Sequence, residues 1–230
     1  MAVRKNGASF RISATPAIVA AQLLAVAAIT LMLVWVLHFR GGLSLKSKNL
    51  ERLLNAHHVL MLFGPVICIG QVLFLCGELA IMAFKTVPGR RRVRKMVHML
   101  LNLLGLVLGV LGLYAIFTVI KKDGTSPDLH SLHSWVGFGT MCLYAIQFLL
   151  GFTFFLFPGA TMPMRANMRP WHFFLGLVIF MLAIISSATG IIRRFWFLRL
   201  QRGSEALVLN FTGIAIILFG ITVILSVILP

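Results

Sequence analysis

Long apolar runs separated by short basic stretches make up nearly the whole chain. Ala17–Leu37 carries no charge, and Leu53–Phe84 holds only Glu78 beyond its two histidines. Met96–Ile120, Leu129–Phe157, Trp171–Ile192 and Ala206–Leu229 bring the number of runs to six. Each reaches or exceeds the roughly 20 residues that a helix needs to cross the hydrocarbon core. The pattern therefore predicts membrane spans at about 17–38, 53–84, 96–120, 129–157, 170–192 and 206–229. The first run is too long for the apolar region of a cleavable signal and has no convincing small-x-small site behind it. No stretch is left for a flavin or nicotinamide domain, and no GxGxxG stands between a strand and a helix. The expected fold is all-α, one integral membrane domain over residues 1–230, built as a six-helix bundle with short loops.

Composition agrees with this reading and charge refines it. Apolar residues make up 60% of the 230 and charged residues 11%, against about 25% charged in soluble domains. A net charge of +16 would suggest nucleic acid if the basic residues shared one polar face. They lie between the runs instead, so the expected surroundings are lipid, with no nucleic-acid partner. With a cytosolic N-terminus, the cytosolic side would carry Arg4, Lys5, Arg11, Lys85, Arg90, Arg91, Arg92, Arg94, Lys95, Arg165 and Arg169. The other side would carry Arg40, Lys46, Lys48, Arg52, Lys121, Lys122, Arg193, Arg194, Arg199 and Arg202. Eleven against ten is nearly even. The dense cluster between the second and third runs decides for cytosolic termini, because short-loop charge sets orientation. Cys68, Cys76 and Cys142 all fall within runs and form no CxxC pair, so they read as small packing residues.

The histidines carry the chemistry. An ionisable residue inside a span is costly and marks a functional candidate. At helical spacing, His57 shares a face with Met61, Gly64, Cys68, Gln71 and Glu78, and His98 with Asn102, Gly105, Gly109 and Gly112. His133 heads Gly137, Thr140, Tyr144, Gln147 and Gly151, and His172 heads Gly176, Ile179, Ala183, Ser186 and Gly190. Small and polar stripes of this kind face other helices. The face of His58 runs Leu62, Pro65, Ile69 and Val72, which suits lipid, so His57 is taken as the inward residue. Alternate spans run in the same direction, which puts His57 level with His133 and His98 level with His172. Facing histidines in a bundle core are an axial pair for haem iron. Two such pairs imply two haems in a core formed by helices 2–5, one near each surface. A closed zinc site needs four ligands at one level, and each level here offers two. His38 and His130 read as interfacial, and Phe117, Tyr144 and Phe148 read as packing between the two levels.

The stretches His38-Phe-Arg-Gly-Gly42, Asn55-Ala-His57, Ala80-Ile-Met-Ala-Phe-Lys85, Lys95-Met-Val-His98, Ser131-Leu-His-Ser-Trp135 and Pro170-Trp-His172 resemble the cytochrome b561 family. Its members are six-helix dihaem proteins that pass electrons from ascorbate across a membrane. The resemblance implies two haem b cofactors. His57 and His133 would ligate the non-cytosolic haem, and His98 and His172 the cytosolic one; no catalytic residue is expected beyond the haems. It also implies cytosolic ascorbate binding at Lys85 and Lys95, with Arg165 or Arg169 completing the site. Monodehydroascorbate or a ferric chelate would accept electrons on the far side, near His130 and Arg40, and a homodimer is compatible with the family. The chain departs from the family pattern in a second helix about two turns longer, in His58 where proline is usual, and in a loop over 121–129 without an expected histidine. Two other readings fit the same histidines: a haem-bearing subunit of a larger complex fed by another donor, and a non-haem proton-coupled transporter.

Overall fold

A computed structural model describes residues 13–76, 91–124 and 130–229. Six helices are long and apolar enough to span a membrane: α1 (Thr15–Phe39), α2 (Leu50–Leu73), α3 (Val93–Asp123), α4 (Leu132–Leu156), α5 (Met162–Phe197) and α6 (Ser204–Ile228). Glu78, Lys85 and Arg90 lie outside the described residues. Capping follows the local sequence. Asn49 accepts from the backbone N–H of Glu51 at 2.8 Å, Ser131 from that of Ser134 at 3.2 Å, and Thr161 opens α5 in the same way. Gly41 and Gly42, at φ of 67° and 88°, reverse the chain after α1. The Asn55 side chain holds that turn by donating to the carbonyls of Arg40 and Gly42 at 3.1 and 2.8 Å.

The helices pack chiefly as three antiparallel pairs, α1 with α6, α2 with α3, and α4 with α5. The α1 seam is built from Ala21, Ala25 and Ala28, whose small side chains admit α6 closely. Between α2 and α3 the backbones nearly touch: a Cβ added at Gly64 would lie 2.7 Å from the Gly105 carbonyl oxygen. Here α2 loosens into a π turn over Leu62–Cys68 around Pro65. Proline removes one N–H and crowds the preceding turn, and the wider winding relieves it.

α2 is the central helix, with 67% of its apolar window buried against 22% for α1, α3, α4 and α5. That overturns one expectation. The His58 face does not meet lipid: Leu62, Pro65, Ile69 and Val72 are all buried, because α1, α5 and α6 close over that side. An apolar stripe has the same composition whether lipid or another helix covers it. Phe117 and Cys142, expected inside, are instead exposed on the outer surface.

α5 extends beyond its expected limits in both directions, and Pro170 lies within it. Arg165 and Arg169 therefore stand on its first turns and not in a loop. Likewise the helix of α3 starts at Arg91, which carries Arg91, Arg92, Arg94 and Lys95 on helical backbone. Two ion pairs clamp the opposite end of the bundle. Arg40 pairs with Glu205, joining α1 to α6, and Arg194 pairs with Glu51, joining α5 to α2.

The close approach of α2 and α3 gives a test. Gly64→Ala should cost about 1–3 kcal/mol by overpacking and lower the thermal unfolding midpoint in detergent. Gly139→Ala, whose new methyl meets nothing within 4 Å, should leave the midpoint in place; equal midpoints for the two variants would contradict the packing described.

Candidate functional site

Four helices bring their histidines together in twos. His57, in the second turn of α2, and His133, in the first turn of α4, have ring centres 6.4 Å apart at an interplanar angle of 87°. His98 of α3 and His172 of α5 lie 6.1 Å apart at 54°. A ring nitrogen sits about 1.1 Å from the ring centre and about 2.0–2.1 Å from a bound metal. Two imidazoles sharing one metal from opposite sides therefore have centres about 6 Å apart. Edge-to-face contact alone allows the same spacing, so the hydrogen bonds decide what each ring offers.

His57 Nδ1 lies 3.0 Å from the carbonyl oxygen of Gly112, and His133 Nδ1 lies 2.9 Å from that of Ser186. A carbonyl can only accept, so each Nδ1 carries the proton and donates it. Each Nε2 then keeps its lone pair, which is the state of a metal-bound histidine oriented by a backbone acceptor. His172 differs. Its Nδ1 is 3.0 Å from Nε2 of Gln147, which also donates to the His172 carbonyl at 2.6 Å. Gln147 Oε1 is buried and finds no partner among the described residues. Because the carbonyl can only accept, the atom facing both groups is the amide N–H, and His172 Nδ1 accepts from it, the reverse of the direction at His57 and His133.

Glycines on the facing helices make room for the rings. A Cβ at Gly190 would meet Cε1 of His133 at 2.8 Å, and one at Gly151 would meet Cε1 of His172 at 2.9 Å. The relation is reciprocal. His133 and Gly151 are eighteen residues apart on α4, as are His172 and Gly190 on α5. Eighteen residues are five turns at 3.6 residues per turn, so both members of each set share a face. Gly137 packs against Ser186, and Gly176 against Gln147, in the same register. The α4–α5 pair thus has an approximate two-fold arrangement, with one histidine at each end seated on the other helix's glycine. Tyr144 crosses between the levels, and its hydroxyl donates to the Asn102 carbonyl at 2.8 Å.

The ring spacing of both pairs, and the Nδ1 hydrogen bonds of His57 and His133, fit residues that would hold haem b. Among the described residues no group of three or more His, Cys, Asp or Glu side chains could hold a bare metal ion. Cationic residues surround the His98/His172 end. Lys95 is three residues ahead of His98 and Arg169 three ahead of His172, both exposed, with Arg165 a turn further out and half-buried. Lys85 lies outside the described residues. At the other end His130 is exposed, three residues ahead of His133. A cleft of about 410 Å³ opens beside His133, lined by Ser131, Leu132, Thr189, Ile192 and Arg193. The structure commits Arg40 to Glu205, which also accepts from Trp35 Nε1 at 3.0 Å. That ties Arg40 into the helix clamp and away from the cleft. His38 is exposed and packs edge-on to Phe39. Two groups escaped the sequence reading: His58, which meets Trp35 edge-on at 5.4 Å, and Arg194, which had counted only as loop charge.

Residues 56–198, which include all four paired histidines, match the eukaryotic cytochrome b561 family. Curated relatives extend the likeness over most of the chain. A probable ascorbate-specific transmembrane electron transporter 1 of Oryza sativa subsp. japonica is 38% identical over 224 residues, covering 95% of this chain and 92% of that protein. Transmembrane ascorbate ferrireductase 1 of Arabidopsis thaliana is 38% identical over 220 residues, 94% of this chain and 88% of that protein. The transmembrane ascorbate-dependent reductase CYB561 of Homo sapiens is 36% identical over 171 residues, 74% of this chain and 63% of that protein. The six spans, the paired histidines and these matches agree, and the chain belongs to the eukaryotic cytochrome b561 family.

Proposed function

We propose that this multi-pass membrane protein is an ascorbate-dependent oxidoreductase that moves single electrons from one side of the bilayer to the other. The observation that carries the reading is the presence of two histidine pairs at opposite ends of one bundle. His57 with His133, and His98 with His172, would each hold one haem b. Haem b bound there supplies one-electron exchange between ferric and ferrous iron. The polypeptide fixes the spacing, holds the His57 and His133 imidazoles with Nδ1 protonated and Nε2 left to bind iron, and surrounds both centres with apolar side chains. Both pairs lie within one chain, so the path is complete in a single copy; a homodimer would hold two such paths side by side.

The His98/His172 end is read as cytosolic, together with both termini, because the densest basic cluster flanks the start of α3. Ascorbate is an anion at neutral pH. Lys95 and Arg169 stand one turn outside the two histidines, and they attract and orient it at the exposed edge of the site. Arg165, and Lys85 outside the described residues, extend the same positive field. There ascorbate gives up one electron and releases a proton to water, leaving monodehydroascorbate. At the other surface, the cleft beside His133, lined in part by Arg193 and preceded in sequence by His130, is the site for the acceptor. Monodehydroascorbate takes one electron and one proton there to give ascorbate, or a ferric chelate takes one electron to become ferrous.

Changing His98 or His172 to Ala should remove one of two haems and abolish reduction by ascorbate from the cytosolic side, and changing His57 or His133 should remove the other. Haem-to-polypeptide stoichiometry with an ascorbate titration checks this, and a full complement in all four variants would refute the assignment. Lys95→Ala and Arg169→Ala should each raise the ascorbate needed for half-reduction several-fold with haem content unchanged. An unaltered titration would reduce both residues to topology signals. The glycine seats predict that Gly190→Leu loses only the His57/His133 haem and Gly151→Leu only the other, read from the redox components that remain.

A further inference from the structure

The bundle end that carries His57 and His133 also holds a buried cation that the electron path does not use. Arg194 is 4% exposed. Its Nη2 donates to Glu51, and its guanidinium carbon lies 5.8 Å from the Trp35 ring centre and 5.5 Å from that of Phe197. Nε and Nη1 are both buried, and neither finds an acceptor among the described residues. A buried cation with unmet donors is strongly unfavourable, so the site calls for an acceptor that the polypeptide does not bring.

Two contacts place this gap next to the histidine pair. Arg194 follows by one helical turn Gly190, the seat of the His133 ring. The Trp35 ring beneath its guanidinium also packs against His58, whose neighbour in sequence and in space is His57, at 5.7 Å between ring centres. The aromatic faces of Trp35 and Phe197 restrain the guanidinium, and its Nε–H and Nη1–H remain as donors for a carboxylate. Haem b carries two propionate carboxylates on its rim.

We propose that Arg194 is the anchor for the propionate carboxylate of the group held by His57 and His133, and that its charge sets that centre's potential. The inference rests on the reading that these two histidines ligate haem b. A fixed cation beside the centre favours the reduced, less positive form, and Glu51 offsets part of that effect. The two residues therefore act in opposite directions. Opposite signs report the two charges beside the centre, and the propionate contact itself is read from how firmly the haem is held.

The test is a redox titration of the purified full-length holoprotein that resolves both haem components. Arg194→Gln should shift the His57/His133 component toward the oxidised form about tenfold, or about 59 mV for a one-electron couple, with the His98/His172 component unmoved. Glu51→Gln should shift the same component the other way, and Arg194→Lys should fall between wild type and Arg194→Gln. Haem retention is the second readout: Arg194→Gln should lose the His57/His133 haem to an excess of apomyoglobin several-fold faster than wild type, and with haem dimethyl ester, whose propionates are blocked, the two proteins should lose it at the same rate. Two loaded haems with no shift in Arg194→Gln would overturn the proposal, as would like-signed shifts in Arg194→Gln and Glu51→Gln. An equally faster loss of the esterified haem from Arg194→Gln would also overturn it, since water or a dissolved anion would then be the acceptor. If Arg194→Gln does not fold, Arg194→Lys is compared in its place with the native and the esterified haem. Haem retained after loss of His57 or His133 would instead refute the ligation reading itself.

Discussion

An imidazole surrounded by hydrocarbon needs a partner for each of its two nitrogens, and much of the architecture meets that requirement. Backbone carbonyls inside a helix are normally spent on the helix's own ladder. Gly112 and Ser186 nevertheless present theirs to His57 and His133 across a helix–helix boundary. This is possible because small residues line the receiving helices, so an imidazole can lie directly on the facing backbone. The choice of nitrogen follows: the one that meets the carbonyl is protonated, and the other is left to bind metal. At His172 the direction is reversed, with the Gln147 amide N–H donating to Nδ1 and to the main-chain carbonyl of the same residue.

The same need for closeness explains the distribution of glycine. Gly64, Gly105, Gly109 and Gly112 draw α2 and α3 together, while Gly137, Gly151, Gly176 and Gly190 do so for α4 and α5. In water such glycines would weaken a helix. In lipid, where no hydrophobic force drives helix association, close packing is a principal source of attraction. The polar clamps Arg40–Glu205 and Arg194–Glu51 sit at one end of the bundle, toward the lipid–water boundary.

Much of this was legible in the sequence because it depends on period and direction alone. Run length gave six spans, helical spacing gave each histidine its stripe, and alternating direction gave the partners that the structure brings to about 6 Å. What periodicity could not supply was the identity of the neighbour. The apolar stripe below His58 reads the same against lipid or against α1 and α5, and only tertiary packing showed it to be buried. Phe117 failed for the same reason in the opposite sense. Pro170 suggested the start of α5, yet Thr161 caps the helix two turns earlier, so Arg165 and Arg169 moved from loop to helix. Arg194 was illegible for another reason: a charge at the end of a run looks like a topology marker until its side chain is seen to fold inward over Trp35.

The reciprocal seating of His133 on Gly190 and His172 on Gly151 turns the α4–α5 pair into a ruler. Fourteen to eighteen residues of helix separate each ligand from the level of the other, a rise of about 21–27 Å at 1.5 Å per residue. Electron exchange falls steeply with distance, so this count of turns fixes how fast charge can hop. Adding or deleting a residue within either helix would rotate a histidine off its seat as well as change the gap. Evolution can therefore adjust the potentials and the surface loops of this scaffold freely, but its internal length is quantised.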